Sequence, residues 1–378
     1  MKFIHTADWQ IGMLAAHVGI VGQRVRDERL AAARRVVEAV KEHEADFLVV
    51  AGDTFEDNAV DRRLVQQVGD ILGACNSPVF IIPGNHDPFV PGSVWQHTVW
   101  GSHPNLNVLK ESKPVEAPGA TLFPCALHEK YSTHDPTAWI DAHQSAGIAI
   151  GLAHGNVEGL PMSEPDYPIP RNAASACGLD YLALGHWHSF GPIEDSEGAP
   201  RIAYSGTHET TKFGERDSGN AVLVEISGRG SPPRLTAIRT GGLHWKTIDG
   251  DDGRVMEAGD LTRLSDRIEA MEASDLTLLR VQLSGILRGD EVAELKRIEE
   301  IVPSRFLYGR VDSQALLPEP SDNSWHSQVP VGVARSVAER LHELSEASFA
   351  GPRPEGATPQ VAVRALLELY RIAHEVRA

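Results

Sequence analysis

Four short apolar runs constrain this chain more than any other feature: FLVVA at Phe47–Ala51, VFII at Val79–Ile82, IAIGLA at Ile148–Ala153 and YLAL at Tyr181–Leu184. Each is too short for a buried helix and lacks polar alternation, which is how strands buried on both faces read. Between the first two strands, residues 21–44 carry apolar positions at helical spacing among charges, predicting a surface helix. The pattern predicts an α/β sandwich. Each strand also runs straight into a polar cluster, and loops at the carboxyl ends of strands are where α/β proteins usually place chemistry.

Those clusters are DWQ at Asp8–Gln10, GD at Gly52–Asp53, GNHD at Gly84–Asp87, AHGN around His154 and GHWH at Gly185–His188. Any one alone is weak evidence, because an Asp after a strand is commonly a helix cap and a lone His is commonly a hydrogen-bonded polar residue. Five in succession, all following β-like segments, predict a single site on one edge of a sheet. Carboxylate, imidazole and amide oxygen together suit Mn²⁺, Fe²⁺ or Zn²⁺. Two ions about 3.5–4 Å apart need a bridging ligand, and a carboxylate such as Asp53 supplies two oxygens. His186 and His188 would point oppositely in extended backbone, so a loop must turn to present both. The three cysteines, Cys75, Cys125 and Cys177, have no paired spacing, which argues against a disulfide scaffold or a thiolate zinc site.

The net charge of -17 argues against unaided binding to nucleic acid, which usually calls for a basic surface. No apolar stretch approaches the roughly 18 residues of a membrane span, and the opening MKFIHTADWQ does not read as a secretory signal. A soluble cytoplasmic protein is expected. Residues 1–240 read as the main domain and 241–317 as a small α/β module, with a half-buried strand around Leu279–Leu283 and a helix through Val292, Leu295, Ile298 and Ile301. Residues 318–328 read as a linker, and 329–378 as two amphipathic helices.

The five clusters resemble the calcineurin-like metallophosphoesterase signature. The opening FIHTADWQIG is similar to the start of the nuclease subunits of the bacterial SbcCD complex and their archaeal and eukaryotic counterparts. The resemblance implies a four-layer α/β/β/α sandwich over the first 240 residues, followed by a capping domain. It implies a DNA exonuclease or endonuclease with two divalent metals, most simply Mn²⁺, which works as a homodimer with an SMC-like coiled-coil ATPase. One metal falls to Asp8, Gln10, Asp53 and His188, the second to Asp53, Asn85, His154 and His186. His86 would stand beside the scissile phosphate as acid or cation, oriented by Asp87. The family has histidine where this chain has Gln10, a weaker ligand, so the first site is expected to be the looser one. His5 and His17 are nearby alternatives, with a structural role the simpler expectation for His5.

Other residues carry weaker signals. Trp95 and Trp100, with His97 and His103, could stack on bases, line a dimer contact or simply pack; His128 and His134 read as surface residues or as residues behind the ligands rather than as ligands. SGTHE at Ser205–Glu209 has no assigned role. Two competing functions stay open: a phosphodiesterase or phosphatase for a small phosphate ester, which the acidic balance fits, and a weakly catalytic scaffold for an ATPase.

Overall fold

The structure, a computed structural model, describes residues 1–160, 166–195, 198–320, 325, 329 and 331–376. The predicted linker at 318–328 lies largely outside these. The chain divides into two compact units, residues 1–243 and 244–378.

Two six-stranded sheets build the first unit. One runs in the order Arg234–Arg239, Asn220–Glu225, Lys2–Thr6, Phe47–Ala51, Val79–Ile82, Leu106–Val108. Its last four strands are parallel and its first two antiparallel. The other runs Val115–Ala117, Ala120–Pro124, Ile148–His154, Tyr181–Gly185, Ile202–Tyr204, Gly191–Ile193, with a parallel centre and antiparallel edges.

Strand periodicity explains why these runs are apolar throughout, since neighbouring side chains point to opposite faces and both faces are covered. In the first sheet Phe3, Phe47, Val49 and Ala51 face the second sheet, while Ile4, Leu48 and Val50 face helices Gly22–Glu42 and Arg62–Gly73. In the second sheet Ile148, Ile150, Tyr181 and Ala183 face the first, and Ala149, Ala153, Leu182 and Leu184 face outward under Ala173, Ala174 and Cys177. Phe3 and Phe47 stack at 4.8 Å in the layer between the sheets. Burying each such ring fully is worth about 1.5–3 kcal/mol. The predicted helix at 21–44 is the helix Gly22–Glu42, which sets Val25, Ala32, Val36 and Val40 inward. The outer layer over the second sheet is thin, with one four-residue helix, Ala173–Ala176, among the described residues.

The second unit centres on the long strand Thr277–Leu287. His244–Ile248, Arg254–Val255 and Tyr308–Pro318 all pair parallel to it, and helices Asp260–Glu269 and Val292–Arg305 pack against it around Leu279, Val281 and Ile298. Helices Val333–Ser345 and Pro359–Glu375 complete the unit. Among the described residues, no helix is long and apolar enough to cross a membrane.

Candidate metal centre

The polar clusters come from both sheets, not from one edge of a single sheet as their order along the chain implies. Asp8, Asp53 and Asn85 follow strands of the first sheet, whereas His154 and His186 end or follow strands of the second. The stacking of the two sheets brings the two sets of strand ends together, and sequence order does not encode that stacking.

Backbone conformation is set by this convergence. Four of the nine non-glycine residues with positive φ among the described residues are Asp8, Gln10, Asp53 and His186. Each such conformation costs about 1–3 kcal/mol and persists only where surroundings over-determine it. Here the loops clamp one another. Asp8 N–H donates to the Gly52 carbonyl at 3.1 Å and Gln10 N–H to the Asp53 carbonyl at 3.0 Å. The His186 N–H donates to the Asp8 carboxylate at 2.9 Å, and the His86 N–H to Asp53 Oδ1 at 2.9 Å. Gly52 has φ of 91°, and a Cβ there would meet His154 Nδ1 at 2.3 Å.

Within this cradle the side-chain donors converge. His154 Nε2 lies 2.9 Å from Asn85 Oδ1 and 3.4 Å from Asp53 Oδ2, and His186 Nδ1 is 3.3 Å from both Asn85 Oδ1 and His154 Nε2. Ligands about 2.1 Å from one ion sit ~3.0 Å apart at right angles and ~3.4 Å apart in a tetrahedron, which brackets these spacings. The donor set fits a divalent cation. His154 Nδ1 donates to the Ala51 carbonyl at 3.0 Å, which fixes the tautomer and turns Nε2 to the centre.

Electrostatics at this point are governed by the Asp53–His154 pair, while burial raises the carboxyl of Asp8. Burial alone would raise Asp53, but His154 and the His86 N–H outweigh it and hold the carboxyl well below its usual range. Burial would lower His154, yet Asp53 and Asp8 lift it to about 9. Burial, reinforced by His154, pushes His186 down to about 3, so its ring is neutral. Divalent metal binding would displace the proton that His154 otherwise carries against Asp53.

The first-site candidates are placed around the same carboxylate. Asp8, Asp53 and His154 form a buried group with donor atoms within 4.8 Å of one another. Gln10 reaches the cluster with its amide nitrogen 3.4 Å from Asp53 Oδ2, and coordination would require the amide turned over. His188 lines the cleft over the site, and its Nδ1 donates to Glu215 Oε1 at 2.9 Å. His5 takes no part: it is buried between the sheets, with Nδ1 2.9 Å from the Tyr181 hydroxyl. His17 is exposed on the surface.

One expected role is corrected. Asp87 does not orient His86, because its two oxygens accept the backbone N–H groups of Gly84 at 2.7 Å and Phe55 at 2.9 Å. It braces two metal-site loops from below. The His86 ring is held instead by the Glu56 carbonyl, 2.9 Å from Nδ1, which must therefore carry the proton. Trp95 and Trp100 are buried and pack on Phe55, so neither offers a face to a base.

Several contributors carry no sequence signal. Asp166 accepts from the Asn85 amide at 3.2 Å, which turns Asn85 Oδ1 to the centre. Arg29, buried in helix Gly22–Glu42, donates to the carbonyls of Trp9 and Glu209 and so ties the Asp8–Gln10 loop to the Ser205–Glu209 motif. In that motif His208 stacks on Trp9 at 4.9 Å, and Glu209 accepts from Gly242 N–H at 2.6 Å. SGTHE thus supports the first loop from behind.

Residues 1–190 match the model of the calcineurin-like phosphoesterase family. The chain belongs to this family. The Bacillus subtilis (strain 168) protein named "Uncharacterized metallophosphoesterase YhaO" is 24% identical over 243 residues, 60% of this chain and 58% of that protein. The chain therefore spans little more than half the length of that relative. Among solved structures, the TT1561 protein of Thermus thermophilus matches with TM-score 0.44 and 12% identity over 63% of this chain and 98% of that one. A dimetal phosphatase from Danio rerio matches with TM-score 0.41 and 14% identity, again over 63% of this chain and 98% of that one.

Proposed function

We propose that this phosphoesterase hydrolyses phosphodiester bonds in DNA with two divalent metals, most simply Mn²⁺. The observation that carries the metal chemistry is the 2.9–3.4 Å spacing of donor atoms from Asp53, Asn85, His154 and His186. Asp8, Gln10, Asp53 and His188 would hold the other ion. When bound, such ions activate water and offset charge on the phosphate oxygens. The protein's own part is positional: the Glu56 carbonyl holds the His86 ring by its Nδ1–H and turns Nε2 outward, where the doubly protonated ring would donate to the phosphate or leaving oxygen.

The DNA reading is supported by the cleft above these residues, about 650 Å³ in volume. Lys130, Tyr131, Trp187 and Lys212 line it with His86, and its two carboxylates, Asp166 and Glu215, already accept hydrogen bonds from within the protein. Lysines suit backbone phosphates and an exposed aromatic suits an unstacked base. The resemblance of the opening FIHTADWQIG extends the proposal to a homodimeric nuclease subunit in DNA repair, acting with an SMC-like ATPase in the cytoplasm. Apolar side chains exposed on the C-terminal helices, Val333, Val337, Val361 and Ile372, support a partner there.

The net charge of -17 favours a second reading, a small phosphate ester as substrate. Linear DNA and a small aryl phosphodiester, each offered to the full chain with Mn²⁺, separate the two. DNA hydrolysis that is lost in His86→Asn, with metal stoichiometry retained, supports the nuclease. Fast turnover of the small diester with DNA left intact refutes it.

A further inference from the structure

We infer that Glu215 is the positioning residue for His188, and that it strengthens the metal site which Gln10 leaves one imidazole short. The inference rests on the two-metal reading above. His188 Nδ1 lies 2.9 Å from Glu215 Oε1, and because a carboxylate only accepts, Nδ1 carries the proton and Nε2 keeps its lone pair for a metal. Glu215 is itself fixed. Its Oε2 accepts the Thr211 N–H at 2.7 Å, and its Oε1 also accepts the Thr211 hydroxyl. The Glu215 side chain is 5% exposed and the His188 ring 25%, so the pair is largely shielded from competing water.

The other imidazole ligand with a fixed Nδ1 partner, His154, donates to a neutral carbonyl, that of Ala51. A carboxylate behind the ring makes the metal-facing nitrogen more basic than a carbonyl does, and such outer partners typically contribute 10–100-fold to metal affinity. The carboxylate therefore stands behind a ligand of the site where the family's histidine is replaced by Gln10.

The test is Mn²⁺ binding to the metal-stripped full chain by calorimetry and electron paramagnetic resonance. The wild type is expected to bind two ions with an exchange-coupled signal. Glu215→Ala should bind one of them at least tenfold more weakly and show the six-line signal of an isolated Mn²⁺. Glu215→Gln, which keeps one acceptor oxygen for His188 but gives up the bond from the Thr211 N–H, should fall between them and carries the test should the alanine variant fold poorly. In a His188→Ala background, Glu215→Ala should change nothing further. Two equally tight ions in Glu215→Ala, or an added loss in the His188→Ala background, overturn the assignment. A folded wild-type chain that binds no Mn²⁺ overturns the two-metal reading, and this proposal with it.

Discussion

His5 offers a quantitative check on the assignment of roles, because it lies three residues before Asp8 yet is packed between the sheets. Burial pushes its pKa from 6.5 to about 3, so the folded chain keeps it neutral while the unfolded chain protonates it below 6.5. The folded pKa is depressed for a base, so the unfolded state binds more protons between these values. His5 therefore stabilises the fold above pH 6.5, and that stability is lost as pH falls towards 3. At pH 5 the loss amounts to about 2 kcal/mol, from 1.36 kcal/mol per unit over ~1.5 units. The perturbation is His5→Asn, which cannot titrate but can still pair with the Tyr181 hydroxyl. Its packing cost is constant with pH and cancels when conditions are compared. Urea unfolding in chelator, followed by the emission of Trp9, Trp95 and Trp100, gives stability at pH 7.5 and at pH 5. The wild-type advantage should shrink by about 2 kcal/mol between the two. An advantage constant to within ~0.5 kcal/mol would refute the buried, neutral assignment. A drop in Mn²⁺ stoichiometry in the variant would make His5 a ligand instead.

Three further outcomes are expected. Gln10→His should lower the Mn²⁺ concentration for half-maximal hydrolysis by about tenfold, since imidazole is the stronger ligand for a transition metal; an unchanged titration would show that Gln10 faces no ion. Gly84→Ala would put a Cβ 2.2 Å from Asp53 Oδ1 and 2.3 Å from its backbone nitrogen. It should cost about 1–3 kcal/mol in denaturant unfolding and most of the activity, whereas near-wild-type activity would mean that the loops have room to separate. Chelation should abolish hydrolysis and lower the melting temperature, with both restored by Mn²⁺; a chelated chain that stays fully active contradicts a metal mechanism.

The strands were legible because burial on both faces leaves an unmistakable trace: Phe47–Ala51 and Tyr181–Gly185 are apolar at every position but the terminal glycine. The candidate donor types were legible for a related reason, since few side chains bind a transition metal and each candidate lies at or just beyond the end of a strand. What stayed hidden depends on contacts distant in sequence. Nothing in the order of the runs says that they divide between two sheets. The acceptor role of Asp87 is set by Phe55, 32 residues away, and that of Glu215 by His188, 27 residues away. His86 is held by a backbone carbonyl, which has no side-chain signature at all.

The same division explains how the chain can depart from the family at Gln10. The cradle is made by main chain: positive φ at Asp8, Gln10, Asp53 and His186, glycines at Gly52 and Gly84 where a Cβ would collide, and N–H groups that bind the carboxylates directly. Backbone bonds of this kind do not depend on the side chain at position 10. A substitution there alters one donor and leaves Asp53 and its imidazole neighbours in place. In the proposed two-metal site, the position would therefore be free to tune the first metal's affinity without dismantling the second, and the carboxylate of Glu215 would act on that same ion through His188.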